Sequence, residues 1–326
     1  MKVTFSINVT PTPAMMLQAH LLARSIDLQF KSNYEIVLVW DHNYEYDAVV
    51  QLYPWLLSYP HRVVKTPSGH NEALGYVGNF LHRFEIEYDG DMVVLMDADT
   101  VVTGSLDAIL RFGREENAIL GVTAGTLINE LFAKCFAACG VSTHYLPLEF
   151  PYWGVWKDEP DNRFVPPQYN CGVLVATPGV FAAIGKSIFA DTLKSKAAAS
   201  NHPLYTQIGV AMAMLRSGVR YHGVHMRYNL AAHNGPKASA SADPAARIRH
   251  AVLMEAFGDP RVAHYCVKSD ALEKKRDFSS YSALQAFADR DVGYNRLAQI
   301  LQRFARAQLP HLLNEARIQT PAAAQA

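Results

Sequence analysis

Apolar residues follow two rhythms along this chain. Short runs rich in β-branched residues, Tyr-Glu-Ile-Val-Leu-Val-Trp at 34–40, residues 92–96 and Gly-Val-Leu-Val-Ala-Thr at 172–177, read as strands buried on both faces. Val3–Asn8 reads as a first strand and His61–Thr66 as an edge strand. Between them, apolar residues recur every three or four positions. That spacing predicts helices over 14–30, just after Pro13, over 47–57, and over 73–88. The β-α-β-α-β order predicts an α/β fold: a mostly parallel sheet with flanking helices on both faces.

The alternation loosens downstream. Gly104-Ser105 followed by Leu-Asp-Ala-Ile-Leu marks a helix start, and 117–124 reads as a strand. Residues 203–217 read as a helix, 219–224 as a short strand, and 261–267 as a last strand. One or two amphipathic helices carrying Arg296, Arg303 and Arg306 are expected over 282–309. Residues 140–168 form an aromatic and proline-rich insertion containing Tyr145, Phe150, Tyr152, Trp153, Trp156 and Phe164. The small polar stretch 233–243 reads as a mobile loop and the tail 319–326 as disordered. The organisation expected is one α/β domain over 1–280, with halves 1–110 and 111–280, followed by C-terminal helices over 281–318.

Composition narrows the function classes. The 326 residues include 30 Lys plus Arg against 30 Asp plus Glu, so the formal net charge is zero and no electrostatic footprint for nucleic acid is present. No stretch approaches 18 uninterrupted apolar residues, and the N-terminus does not read as a signal peptide. Four cysteines, at 135, 139, 171 and 266, show no paired zinc spacing and read as buried free thiols of a cytoplasmic protein. The Asn8-Val-Thr10 sequon falls on an expected strand and is discounted. The basic C-terminal helices suggest packing or a homodimer contact before a lipid surface.

The sharpest chemical signal follows the 92–96 strand. Asp97-Ala98-Asp99 places two carboxylates at its carboxyl end, where ligands gather in open α/β sheets. In extended backbone 97 and 99 would point to the same side. Paired oxygen donors suit a hard divalent cation. An Asp pair can also simply end a strand.

Several pieces in one order make the chain resemble the GT-A glycosyltransferases of the glycogenin-like and bacterial galactosyltransferase-like group, over roughly residues 1–268. A strand ends in Asp97-Ala98-Asp99-Thr100, similar to D-x-D-[ST]. Asn170-Cys171-Gly172 looks like N-[ST]-G with cysteine for the hydroxyl residue, and Thr206-Gln207-Ile208 keeps only the glutamine of an acidic-flanked triplet. Arg227-Tyr228-Asn229 looks like the Tyr/Trp-Asn strand end. Of the final H-[FY]-x-G-x-x-K-P-W element His264-Tyr265 remains, with Val267 in place of glycine and Lys268 displaced.

The resemblance implies a GT-A, Rossmann-like fold and a metal-dependent hexosyltransferase. Such an enzyme moves sugar from a nucleotide-sugar, UDP-linked by expectation, to a carbohydrate or other hydroxyl acceptor with retention of configuration. It implies Asp97, Asp99 and His264 as ligands of Mn²⁺ or Mg²⁺, the imidazole favouring Mn²⁺. Asn8 would lie by the base and ribose, Arg83 would be a cation facing the donor, Asn170 would hold sugar hydroxyls, and Lys268 would meet the diphosphate. Gln207 would be the catalytic residue at the sugar's back face, positioning or stabilising charge, since an amide is a poor nucleophile. An inverting reaction would instead need a carboxylate base, which Glu149, Asp158, Glu159 or Asp161 could supply. Tyr152, Trp153 and Trp156 could stack on an acceptor sugar. Two other readings compete: a phosphatase of the haloacid-dehalogenase type with Asp97 as nucleophile, and a catalytically silent GT-A-like binding domain.

Overall fold

The structure is a computed structural model that describes residues 1–317 apart from 32, 125–128, 144–145, 148–163, 166, 232–243 and 267. The aromatic and acidic residues expected to meet an acceptor, Glu149 to Asp161, lie outside the described residues, as do the 233–243 stretch and the tail.

The first half runs β1 (Val3–Asn8), α1 (Pro13–Phe30), β2 (Tyr34–Asp41), α2 (Tyr46–Leu52), β3 (His61–Thr66), α3 (Ser68–Leu74), α4 (Tyr76–His82), β4 (Met92–Asp97), β5 (Thr100–Val102) and α5 (Asp107–Glu116). Then follow β6 (Ala118–Thr123), α6 (Asn129–Cys139), the two-residue strands β7 (Leu146–Pro147) and β8 (Phe164–Val165), β9 (Tyr169–Ala176), α7 (Pro178–Ala198), α8 (Tyr205–Ser217) and β10 (Arg220–Gly223). The chain ends with α9 (Pro244–Gly258), β11 (Val262–His264), α10 (Lys274–Asp277), α11 (Tyr281–Asp289) and α12 (Arg296–Arg317).

A seven-stranded sheet in the order β10-β6-β9-β4-β1-β2-β3 forms the frame. Its pairings are parallel except those of β9, which runs antiparallel to both β4 and β6. The expected mostly parallel sheet is therefore present. The pattern of β4 explains why it reads as continuous: Met92, Val94 and Met96 join the core on one face, with α1 residues, while Val93 and Leu95 join the other, with α4 and α7 residues. A strand covered on both sides has no polar face to alternate with.

Three departures from the sequence reading have local causes. The helix expected over 73–88 is two short helices, because Gly75 sits between them at φ +58°, left-handed territory that breaks helical backbone. The helix expected over 47–57 is α2 followed by a 3₁₀ turn over Pro54–Ser58, since Pro54 cannot donate the next helical hydrogen bond. Helix α7 has no counterpart in the apolar spacing. It begins at Thr177-Pro178, and its buried side chains include Asp191, Thr192 and Ser195 as well as Val180, Phe181, Ile184 and Ile188, so the stripe is blurred. Arg216 on α8 satisfies Asp191 through two hydrogen bonds of 2.8 and 2.9 Å.

The C-terminal helices are tied to α1 through one polar cluster. Buried His20 stacks on Trp55, with ring centroids 4.5 Å apart and 5° between planes. Its Nε2 meets Glu315 Oε2 of α12 at 2.7 Å and its Nδ1 meets the Tyr281 hydroxyl at 2.7 Å. Tyr59 donates to the same Glu315 oxygen at 2.6 Å. Residues of α9, α11 and α12 share an apolar cluster with Leu17 and Leu21 of α1, Val101 of β5 and Ala263 of β11. Among the described residues no helix is long and apolar enough to cross a membrane.

Burial, with Arg24 adding to it, lowers the His20 pKa against the pull of Glu315. Burial raises that of Glu315, but His20 and Tyr59 outweigh it and leave the carboxyl below its ordinary value. Both groups bind protons less readily folded than unfolded, so both withdraw stability as pH falls. The His20 contribution is complete above its unfolded value of 6.5 and declines below it. That of Glu315 declines below 4.5. Thermal unfolding followed by circular dichroism is expected to show a midpoint that falls from pH 7 to 5, with His20→Gln removing part of that slope and Glu315→Gln removing part of the further fall below pH 4.5, where Asp99 and Asp277 also contribute. An identical slope from pH 7 to 5 in wild type and His20→Gln would refute the assignment.

Candidate active site

The site grows from the carboxyl end of β4. Asp97 is the last residue of that strand, after which the backbone turns through Ala98 and Asp99 before β5 begins. The two carboxylates thus converge across a turn, and the extended backbone expected at 97–99 is not what aligns them. The Thr100 hydroxyl closes the turn by donating to the Asp97 carbonyl at 2.7 Å. β5 pairs antiparallel with β11, with Thr100 opposite His264, and the Tyr265 amide donates to the Asp99 carbonyl at 3.0 Å. This ribbon carries His264 to the acidic turn from far along the sequence. One ligand atom from each of Asp97, Asp99 and His264 lies within 4.8 Å of the others.

The electrostatics follow from burial. At such a separation two full negative charges repel by roughly 3–4 kcal/mol if the effective dielectric is about 20. Cations from three segments answer this. Arg83, fully buried, reaches Asp97 Oδ1 at 3.5 Å, His264 Nε2 lies 3.5 Å from Asp99 Oδ1, and Lys274 Nζ lies 2.5 Å from Asp99 Oδ2. Burial pushes the Asp99 carboxyl up, yet His264 and Lys274 hold it well below the usual carboxylate range. Burial, and then the charge of Asp99, push Asp97 up against the pull of Arg83. For His264, burial opposes the proton, but Cys266 and Asp99 raise its pKa well above the ordinary value.

His264 is seated by a chain of amides. Its Nδ1 meets Asn229 Oδ1 at 2.8 Å, and Asn229 Nδ2 donates to Asn170 Oδ1 at 2.8 Å, which also accepts from the Gly172 amide at 2.9 Å. An imidazole anchored through Nδ1 presents Nε2 toward Asp99, the orientation that a metal ligand needs. The ring also requires a glycine at 172. A Cβ there would lie 2.3 Å from His264 Cε1 and 2.6 Å from Nδ1. Two carboxylates and an oriented imidazole fit a divalent cation such as Mn²⁺, and Lys274 occupies a different oxygen of Asp99 from the one facing His264.

A cleft of about 1000 Å³ opens above this turn. Asn8, Asp97, Asp99, Asn170, Gln207 and His264, all singled out in the sequence, line it together. Asn8 is buried at the end of β1, opposite Asp97 on β4, and donates to the Tyr76 hydroxyl at 2.5 Å. Gln207, on α8, accepts from Gln168 Nε2 at 2.7 Å. Arg83 and Lys268 are not brought to the cleft. Arg83 turns inward, donating to the carbonyls of Ser6 and Met96 at 3.2 and 2.8 Å, so beyond Asp97 it serves the backbone of β1 and β4. The Lys268 side chain is 74% exposed and pairs with Glu273 at 3.0 Å.

The lysines that line the cleft are Lys274 and Lys275, and Lys274 is the one that pairs with Asp99. The Glu-Lys-Lys-Arg run at 273–276 was the available signal, but nothing in its spacing from His264 fixes which lysine turns inward. Tyr76, Gln168 and Asn229 were also not singled out as site residues; Asn229 was visible only as part of a motif. Of the cysteines expected to be buried, 135, 139 and 171 are, whereas Cys266 is exposed and lines the cleft.

No protein-family model and no curated sequence matches the chain. Solved structures do resemble it. The galactosyltransferase LgtC, in complex with donor and acceptor sugar analogs, is 16% identical over 91% of this chain and 95% of that one, with a TM-score of 0.52. GlyE, a glycosyltransferase of Streptococcus pneumoniae TIGR4, is 14% identical over 97% of this chain and 63% of that one, with a TM-score of 0.53. The bifunctional glycosyltransferase WbbM is 13% identical over 96% of this chain and 51% of that one, with a TM-score of 0.52. The seven-stranded sheet, its antiparallel β9 and the acidic turn at the end of β4 thus belong to a chain with the GT-A glycosyltransferase fold.

Proposed function

We propose that this chain is a glycosyltransferase that moves a hexosyl group from a nucleotide-sugar, a UDP-sugar in the first instance, to an acceptor hydroxyl with retention of configuration. The observation that carries the reading is the convergence of Asp97, Asp99 and His264, flanked by Lys274, at the base of a cleft large enough for a nucleotide-sugar, on a fold shared with glycosyltransferases. The reaction breaks the bond between the anomeric carbon and the diphosphate oxygen and forms one to the acceptor oxygen, whose proton leaves with the diphosphate.

Asp97, Asp99 and His264 would hold Mn²⁺ or Mg²⁺, which when bound supplies Lewis-acid stabilisation to the charge that builds on the departing diphosphate. Lys274 adds a second positive charge beside that position. Asn8 and Tyr76 line the same cleft and would contact the base and ribose. The Asn170 Oδ1 is committed to Gly172 and Asn229, so Asn170 offers a donor-sugar hydroxyl its NH₂ group. Gln207 lines the same cleft from α8 and would lie on the far side of the sugar, stabilising positive charge at the anomeric carbon. The solved structures that this chain resembles favour the transferase over the phosphatase reading with Asp97 as nucleophile.

Three outcomes test this reading. A panel of nucleotide-sugars incubated with Mn²⁺ and no acceptor is expected to give UDP release from one UDP-sugar, abolished by chelator and reduced about 1000-fold or more by Asp99→Ala. Inactivity toward every donor would overturn the enzyme reading in favour of a silent binding domain. Gly172→Ala is expected to displace His264 and raise the Mn²⁺ concentration needed for half-maximal turnover about 10–100-fold, as read in a metal titration, with an unfolding midpoint lowered by the overpacked strand. Lys274→Met is expected to lower turnover about 10–100-fold without loss of Mn²⁺ affinity, because its partner oxygen is not the one facing His264; unchanged turnover would remove Lys274 from the site.

A further inference from the structure

Outside the cleft, a second group of side chains converges. His70 lies on α3, His82 is the last residue of α4, and Glu85 follows three residues later. The two imidazoles meet one carboxylate: His70 Nε2 lies 2.9 Å from Glu85 Oε2 and 3.2 Å from Oε1, and His82 Nδ1 lies 3.0 Å from Oε2. One ligand atom of each residue falls within 4.8 Å of the others. The side chains are 14–25% exposed, shielded but open to an ion arriving from solvent. None of the three lines the cleft.

We infer that His70, His82 and Glu85 form a zinc site that pins α3 to the end of α4. The chemistry of the donor set selects the ion. Two imidazoles with one carboxylate are a borderline-soft set that suits Zn²⁺, in contrast to the carboxylate-rich set at Asp97 and Asp99. The spacing agrees. Tetrahedral zinc with ligand bonds of about 2.0–2.2 Å separates neighbouring ligand atoms by about 3.3 Å, so the contacts of 2.9 and 3.0 Å need open by only a few tenths of an ångström. Each of these two imidazole nitrogens donates an N–H to the Glu85 carboxylate; zinc takes the place of those two protons, which pass to solvent, the carboxylate moves aside to become the third ligand, and water completes the fourth position. Phe189 of α7 stacks on the His70 ring at 4.2 Å between centroids and holds that ring against the sheet-covering layer.

The site has a structural role that its position explains. It spans the Gly75 break, where the backbone alone gives the two helices no continuity. The same unit supplies Tyr76, Val77 and Phe80 to the cleft wall. Zinc binding therefore fixes the wall of the cleft while leaving the acidic turn untouched.

The test uses full-length chain stripped with chelator and carrying Asp99→Ala, so that the acidic turn does not compete. Zinc titrated against a chromophoric chelator is expected to bind at one equivalent per chain, with a raised unfolding midpoint, and cobalt in its place is expected to give the intense visible bands of a tetrahedral ion. His82→Ala, and Glu85→Gln as the conservative variant, are expected to weaken zinc about 100-fold or more while the far-ultraviolet circular dichroism is retained. Absence of a stoichiometric zinc in the Asp99→Ala chain, or its retention at unchanged affinity in both variants, would overturn the site. Neither result bears on the acidic turn, which the manganese-dependent assay tests separately.

Discussion

Two carboxylates forced together at a shielded turn are the constraint around which this molecule is arranged. Keeping both Asp97 and Asp99 ionised there calls for positive charge, since Asp99 is buried and water reaches Asp97 only from the cleft side. The chain answers from three directions: Arg83 from beneath the sheet, His264 from β11 and Lys274 from α10. Two of these cations come from beyond residue 260, so the second half of the chain has to fold back onto the end of β4. The β5–β11 ribbon is that return, and the amide chain through Asn229 and Asn170 to Gly172 fixes its register against β9.

The C-terminal helices belong to the same arrangement. Their apolar cluster includes Val101 of β5 together with Ala263 and Tyr265, the residues on either side of His264. A helix layer packed directly against β11 restricts the motion of the strand that carries His264. The His20–Glu315 cluster then ties α12 to α1, and α1 begins under the cleft, where Thr12, Met15 and Gln18 line its wall. Loosening the end of the chain would therefore be felt at the acidic turn through packing, without any contact to a ligand.

How much of this the sequence revealed depends on how local each feature is. β4 and its acidic end were legible because a fully buried strand writes an unbroken apolar run and the two Asp residues sit next to it. Asp99 and His264 were joined only through the resemblance, since no local pattern says that Thr100 will face His264 across a ribbon. Arg83 read as a donor-facing cation only through the resemblance, whereas its inward turn depends on carbonyls of Ser6 and Met96 that only the folded sheet assembles. Lys274 was hidden among neighbouring basic residues for the same reason. Helix α7 escaped because burial of Asp191 against Arg216 places a charge on its inner face, and periodicity arguments count such a charge as solvent-facing.

The pairing of Gln207 with Gln168 bears on how a neutral residue could assist the proposed transfer. Gln168 is buried, and its NH₂ donates to Gln207 Oε1 in the arrangement given above. Turning both amides over reverses the donor and the acceptor but leaves one hydrogen bond of the same kind between them. The pair's own hydrogen bond is the same in both states, so the surroundings of the two amides, the contents of the cleft among them, decide between them. A donor with hydroxyls toward α8 favours either state, but a sugar gaining positive charge at the anomeric carbon favours the one in which Gln207 directs its carbonyl oxygen inward. If the proposed transfer holds, the buried partner would keep the Gln207 amide in place while its polarity followed the charge of the reacting sugar. A glutamate at 207 could not exchange roles in this way, because an ionised carboxylate only accepts, and its added negative charge would sit in the same cleft as Asp97 and Asp99.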